Sequence, residues 1–322
     1  MVRKRELVLQ QIITVANYEY IFAWIFDQSG SITFQTRATG ILSTQPIAKG
    51  VKVPWGTLVA DGVMAPYHQH IFNLRIDPAI GGHKNSLTIT DSEAMPWDEE
   101  PNPYGTGYVT KEKIVRRAGF FENDVSKNRA FKIVNENIEN PVSLTLIGYK
   151  LVPIASQVSP SNGLYFLMLK KTQLLLAHPG TFHSRRSEFA DHPIWVTPYE
   201  DRQLFPAGDY TNQSLGGTGI ASWKGTTSHA PVRNDDIVIW HTYGFTHNPR
   251  VEDFPIMPVE IAEVHLKPYN FALFNPALDV PQSTQGVNKS TLVVSTSDSS
   301  GSGVDEGAIV GGEGKVCNGC VE

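Results

Sequence analysis

Ten histidines occur in the 322-residue chain, and His68-Gln69-His70 is the pair whose spacing has a direct mechanical meaning. On a strand, residues two apart point to one face, roughly 6.6 Å apart along the backbone. Two imidazoles placed that way can converge on a single ion at ~2 Å from each nitrogen. An all-nitrogen set of this kind suits copper or zinc better than magnesium or calcium. The alternative is a pair of half-buried strand histidines bonded to carbonyl groups. A third ligand decides between the two, and His83, His178, His183, His192, His229, His241, His247 and His265 are all candidates that spacing alone does not separate. His247 stands out because it follows an apolar run and falls in Gly244-Phe245-Thr246-His247-Asn248-Pro249, read as a turn that can aim a side chain inward. Cys317 and Cys320, the two cysteines, form one C-x-x-C. That is two ligands short of a zinc site, and it reads as a reducible thiol pair.

Strands must carry such a site. Turn residues recur at short intervals, as in Asp27-Gln28-Ser29-Gly30, Asp61-Gly62, Gly81-Gly82 and Pro206-Ala207-Gly208, and leave little room for helices. Between them lie β-branched and aromatic segments at 20–26, 32–36, 87–90, 193–197 and 237–242. This is an all-β pattern, and residues 20–26 and 32–36 read as a hairpin. The expected architecture is a large antiparallel β-sandwich over residues 1–281. Residues 111–118 and 164–176 are exceptions, mixing charged and apolar positions without clean alternation, and a short helix is one reading of either. From residue 282 to 322, Ser, Thr, Gly and Val dominate and offer nothing to bury, which predicts a flexible tail. Trp195, Trp223 and Trp240 read as core, and His241 as a structural strand histidine.

Composition narrows the function classes. Lys plus Arg number 27 against 32 Asp plus Glu, a net charge of −5, which argues against nucleic acid as a partner. The 41% hydrophobic and 18% charged content describes a folded globule. The longest apolar run, residues 20–26, is far short of the ~20 residues of a membrane helix, and polar Glu6, Gln10 and Gln11 interrupt any signal-peptide core. No membrane partner is expected, and the compartment stays open, the cytoplasm included.

The string Thr14-Val15-Ala16-Asn17-Tyr18-Glu19-Tyr20 resembles the T-x-x-N-Y-[DE]-Y signature of the copper amine oxidases. His68-Gln69-His70-Ile71-Phe72-Asn73-Leu74-Arg75-Ile76-Asp77 is similar to the family's H-Q-H copper segment. Gly244-Phe245-Thr246-His247-Asn248-Pro249-Arg250-Val251-Glu252-Asp253-Phe254-Pro255 is similar to its third-ligand segment. The resemblance runs over about residues 5–281 and implies a homodimer built on a large β-sandwich catalytic domain. It implies copper(II) on His68, His70 and His247, and Tyr18 as the precursor of the topaquinone cofactor. Asn17 is then expected to orient the quinone, and Glu19 to fix its strand. The implied reaction takes a primary amine and dioxygen to aldehyde, ammonia and hydrogen peroxide.

Two departures from the family pattern accompany the resemblance. The family's aspartate base and a quinone-contacting tyrosine come from strands upstream, and seventeen residues precede Tyr18. The chain therefore reads as amino-terminally truncated, with an unpaired sheet edge and an uncovered apolar face. No residue here is assigned as the base, and a catalytically silent copper-binding β-protein stands as the alternative. The family's peripheral calcium or manganese site is matched at Asp77, Asp236 and the carbonyl of Ile237, but Ala79 stands where a second aspartate is expected. Hard cations prefer six or more oxygens, so this site is weakened.

Overall fold

The computed structural model describes residues 4–153, 175–178, 180–210 and 213–281. The expected tail, Cys317 and Cys320, and most of the segment 164–176 lie outside the described residues. Residues Arg5–Ala277 form one compact unit.

The β-branched and aromatic runs form fifteen strands among the described residues. In chain order these are β1 (Glu6–Val15), β2 (Tyr18–Asp27), β3 (Ile32–Ile41), β4 (Gln45–Pro46), β5 (Gly56–Ala60), β6 (Val63–Pro66), β7 (His68–Ile76) and β8 (Ser86–Ala94). They continue as β9 (Tyr108–Ile114), β10 (Gly119–Phe121), β11 (Ala130–Asn140), β12 (Thr145–Val152), β13 (Ile194–Pro198), β14 (Ile237–His247) and β15 (Ile256–Tyr269). An eight-stranded sheet runs β1-β2-β3-β15-β12-β11-β8-β9, a four-stranded sheet runs β10-β13-β14-β7, and a small third sheet runs β4-β6-β5. All paired strands are antiparallel.

The two larger sheets pack face to face. Leu87, Phe131, Ile133, Leu151, Val264 and Leu266 from the larger sheet share one core with Leu74, Ile76, Ile194, Val196, Ile239 and Tyr243 from the smaller. Burying such side chains contributes about 1.5–3 kcal/mol each, so this interface is the main source of stability. A buried hydrogen bond between Thr36 and Tyr243 hydroxyls, 2.6 Å long, crosses it. Strand β14 is covered on both faces, because Val238 and Trp240 pack with Trp195 and Ile220 on the side away from the main core. That double burial explains its nearly continuous apolar run.

The expected hairpin is present and longer than the sequence reading, with Phe26 opposite Ile32 and Tyr18 opposite Gly40. Gly40 has φ +117°, and a Cβ there would lie 2.6 Å from the Asn17 carbonyl oxygen and 2.8 Å from the Tyr18 Cα. The bare glycine backbone therefore lets β3 lie against the start of β2. Residues 111–114, for which a short helix was one reading, belong to strand β9, with Lys111 opposite Asp91 and Lys113 opposite Ile89. Charged residues obscure the alternation there because β9 is an exposed edge, where charge discourages further strand pairing. The opposite edge is β1, which leaves Leu7, Leu9 and Ile12 more than half exposed. No helix among the described residues is long and apolar enough to cross a membrane.

Candidate metal centre

Strand β7 sets His68 and His70 on one face, as the two-residue spacing predicts, and β14 places His247 directly opposite His68. His247 is the last residue of β14 rather than a turn residue. The reading of Gly244 to Pro249 as a turn is corrected because pairing with β7 continues to the His247–His68 step. Gly244 permits this register, since a Cβ there would meet the His70 carbonyl oxygen at 2.3 Å. One ligand atom from each of the three histidines lies within 4.8 Å of the others. His70 and His247 are buried at 8% and 3% exposure, so few solvent molecules compete for the cluster.

Hydrogen bonds on the far side of each ring determine which nitrogen faces inward. His68 donates its Nδ1–H to the Pro66 carbonyl at 2.8 Å, which leaves Nε2 as the nitrogen able to act as a ligand. His247 has Nε2 3.2 Å from Asp253 Oδ2, which leaves Nδ1 facing His68 at 3.4 Å. His70 has Nδ1 2.6 Å from the Tyr20 hydroxyl, while its Nε2 is buried with no hydrogen-bond partner. A buried nitrogen without a partner is costly, and a bound cation on Nε2 removes that cost. Outer partners of this type orient metal-binding histidines and raise their basicity.

Burial favours the neutral form of the His68 and His70 imidazoles, the form that a metal requires. Burial, then the neighbouring His68 and His247, lowers the His70 pKa to about 4. Burial is also the largest cause lowering His68, opposed by its bond to Pro66. Burial tends to raise Asp253, but the backbone N–H of Arg250 and the bonds to His247 and the Arg250 side chain hold it below the ordinary carboxylate value.

Tyr18 is 5% exposed and reaches this cluster from the other sheet. Its hydroxyl lies 2.9 Å from His68 Nε2 and accepts the Ser43 backbone N–H at 3.1 Å. The aromatic rings of the facing strands interleave, Tyr18 lying 5.5 Å from His68 and 4.8 Å from His70, and Tyr20 5.7 Å from His70 and 5.4 Å from Phe72, between ring centroids. Tyr18 enters β2 directly after a two-residue turn in which Ala16 adopts φ +54°. That left-handed conformation is uncommon for a residue with a Cβ. Asn17 donates to Ser43 Oγ at 3.4 Å, and Glu19 accepts from Thr14 Oγ1 at 2.8 Å across the β1–β2 pair. Asp253, Tyr20, the Ser43 amide and the Pro66 carbonyl were not among the candidates read from sequence.

Other histidines have other partners. His192 bonds Glu122 and stacks on Phe120 at 3.5 Å, His229 faces the Ala118 carbonyl and His265 faces Thr33. His241 is fully buried, its Nδ1 lies 3.0 Å from the Pro193 carbonyl, and burial lowers its pKa to about 4. In the unfolded chain it would titrate near ~6.5. Below that pH the unfolded state binds the extra proton and the native state does not. The contribution of His241 to stability is thus intact above about 6.5 and declines toward pH 4, at a slope approaching about 1.4 kcal/mol per pH unit. Urea midpoints across this range should drop more steeply for the parent chain than for His241→Gln, and parallel curves would contradict this account.

Asp77 and Asp236 lie at the same end of the neighbouring strands β7 and β14. Asp77 is exposed and accepts from Arg75 Nη1 at 3.0 Å. Asp236 keeps one buried carboxylate oxygen without a hydrogen-bond partner, and Ile237 begins β14 opposite Pro198.

Residues 1–287 match the family described as copper amine oxidase, enzyme domain. The chain is 45% identical over 282 residues to copper amine oxidase 1 of Aspergillus niger, covering 87% of this chain and 39% of that protein. It is 36% identical to the primary amine oxidase of Arthrobacter sp., covering 88% of this chain and 41% of that protein. Among solved structures it is similar to a copper-containing benzylamine oxidase from Hansenula polymorpha, with TM-score 0.80 and 46% identity over 88% of this chain and 42% of that one. The chain therefore spans about 40% of the length of the relatives it matches.

Proposed function

This chain belongs to the copper amine oxidase family, and from that premise we propose that it is the copper- and quinone-bearing part of a primary-amine oxidase. The reaction is oxidation of primary amines by dioxygen to aldehyde, ammonia and hydrogen peroxide. The observation that carries this reading is the Tyr18 hydroxyl 2.9 Å from the ligand-side nitrogen of His68, within a cluster of three histidines. In this reading His68 and His70 hold copper(II) through Nε2, and His247 holds it through Nδ1. Tyr18 is the topaquinone precursor. When bound, copper with dioxygen supplies the oxidation of the tyrosine ring, and the resulting quinone supplies the carbonyl and electron sink for amine oxidation.

The chain's own residues position these groups. His68 and the Ser43 N–H hold the Tyr18 oxygen from two sides, which fixes the ring before any modification. Asn17 anchors to Ser43, the residue whose amide touches that oxygen, and so couples the β1–β2 turn to the Tyr18 position. Glu19 braces the turn through Thr14. None of these residues is proposed as the base that takes the substrate proton. A second cation, calcium or manganese, is proposed at Asp77, Asp236 and the Ile237 carbonyl as a weak site only, because Arg75 already engages Asp77. The partners in this reading are a small primary amine, dioxygen and a second copy of the chain in a homodimer.

The test is exposure of the metal-free chain to copper(II) and air. Redox-cycling quinone staining and a modified Tyr18 peptide are expected, followed by peroxide release with a simple monoamine where the rest of the catalytic machinery is present. Copper uptake without staining contradicts the quinone reading and leaves a metal-binding β-protein.

A further inference from the structure

We propose that Tyr20 is a positioning residue for the metal, its hydroxyl oxygen accepting the Nδ1–H of His70 and so holding the His70 ring with Nε2 turned into the triad. This inference rests on the reading of the triad as a copper site. Two tyrosines, two residues apart on one face of β2, meet two histidines, two residues apart on one face of β7. They meet them on opposite nitrogens. Tyr18 touches His68 at Nε2, the atom left for a ligand role by the Pro66 bond, and so lies on the metal side of its imidazole. Tyr20 touches His70 at Nδ1, at 2.6 Å, while Nε2 stays buried and unbonded. Tyr20 therefore lies behind its imidazole.

A neutral imidazole that gives Nε2 to an ion carries its proton on Nδ1. The Tyr20 oxygen is the acceptor placed to receive it. Without that oxygen the N–H of a buried imidazole loses its partner, and the ring has less to distinguish its present orientation from one rotated about the Cβ–Cγ bond. The same arrangement separates the roles of the two phenols. Tyr18 is placed beside the metal for modification, and Tyr20 is shielded from it by the ring it holds.

The experiment compares the full chain with Tyr20→Phe, which keeps the aromatic ring in contact with Phe72 and Phe22. Chelator competition is expected to show copper(II) affinity reduced about 10- to 100-fold, with an altered copper EPR spectrum and unchanged far-UV circular dichroism. Tyr149→Phe, which removes a tyrosine hydrogen bond to the Gly30 carbonyl outside the triad, is expected to match the parent in both readouts. Parent-like affinity and EPR in Tyr20→Phe overturn the inference, as does an equal loss in Tyr149→Phe. A parent chain that takes up no copper overturns the copper reading, and the inference with it. If Tyr20→Phe does not fold, the zinc-loaded parent carries the test. Nitrogen-15 NMR should then show a His70 Nδ1–H protected from solvent exchange, and a rapidly exchanging one overturns the proposal.

Discussion

Replacing Tyr18 by Phe is expected to abolish quinone staining completely while leaving copper uptake close to one ion per triad. The prediction follows from what the hydroxyl does and what the ring does. The ring is packed in a small cluster with Ala38 and Met257 and sits edge-on to His70 at 4.8 Å. Phe preserves those contacts. Only the oxygen is lost, and with it the bonds to His68 Nε2 and the Ser43 amide. Losing a hydrogen bond of this kind costs about 1 kcal/mol, which a sandwich of this size tolerates. None of the three imidazoles depends on the Tyr18 oxygen for its outer partner, because those partners are Pro66, Tyr20 and Asp253. Copper binding and quinone formation therefore separate in this variant. The measurement is metal content with quinone staining of the denatured chain. Staining in Tyr18→Phe would move the cofactor to another side chain, and Tyr20 is a neighbouring phenol among the described residues, 6.5 Å away between ring centroids.

How far this arrangement can be read without a structure depends on the range of the interaction. His68 and His70 share a face because a strand has a period of two, and that follows from local geometry alone. The β2–β3 hairpin follows from two β-rich segments flanking Asp27-Gln28-Ser29-Gly30, where Asp27 accepts from the Ser29 and Ser31 amides. The meeting of Tyr18 with His68 is different, since the residues lie fifty positions apart and on different sheets. Motif resemblance pointed to that meeting, and periodicity did not. His247 was read as a turn residue because Gly244 and the Asn248-Pro249 pair are turn formers. Pairing with β7 overrides that local preference and carries the strand to His247. The outer partners were least legible. One is a backbone group, the Pro66 carbonyl, which every residue possesses, and the Ser43 amide that bonds Tyr18 is equally anonymous in sequence. Asp253 did carry a signal, because it follows His247 by six residues within the same motif, but its role depends on a short 3-10 turn at Val251–Asp253 that folds it back.

On the copper reading, that fold-back makes Asp253 the residue that would orient His247 as the third ligand. Its carboxylate is 5% exposed, accepts the Arg250 backbone N–H at 3.0 Å and Nε at 3.2 Å, and faces His247 Nε2 at 3.2 Å. An ionised carboxylate only accepts hydrogen bonds, so it selects the His247 tautomer protonated at Nε2 and bare at Nδ1, the atom nearest His68. Removing the ligand and removing its orienting group should then differ in degree. His247→Ala leaves two histidines, too few to hold copper against a competing chelator, and no quinone is expected to form. Asp253→Asn keeps all three ligands but places an amide opposite His247. If the amide N–H₂ faces Nε2, it favours the tautomer protonated at Nδ1, which must lose that proton before it can bind metal. If the amide oxygen faces Nε2, the N–H₂ meets the Arg250 donors instead, and two donors oppose each other in a buried site. Either way copper affinity is expected to fall about 10- to 100-fold, the range for loss of an outer partner. Quinone formation should be slower at limiting copper and recover at saturating copper. Chelator competition and the time course of quinone absorbance at two copper concentrations give both readings. Parent-like affinity in Asp253→Asn would mean that the strand pairing of His247 with His68, and not the carboxylate behind it, sets the ligand geometry.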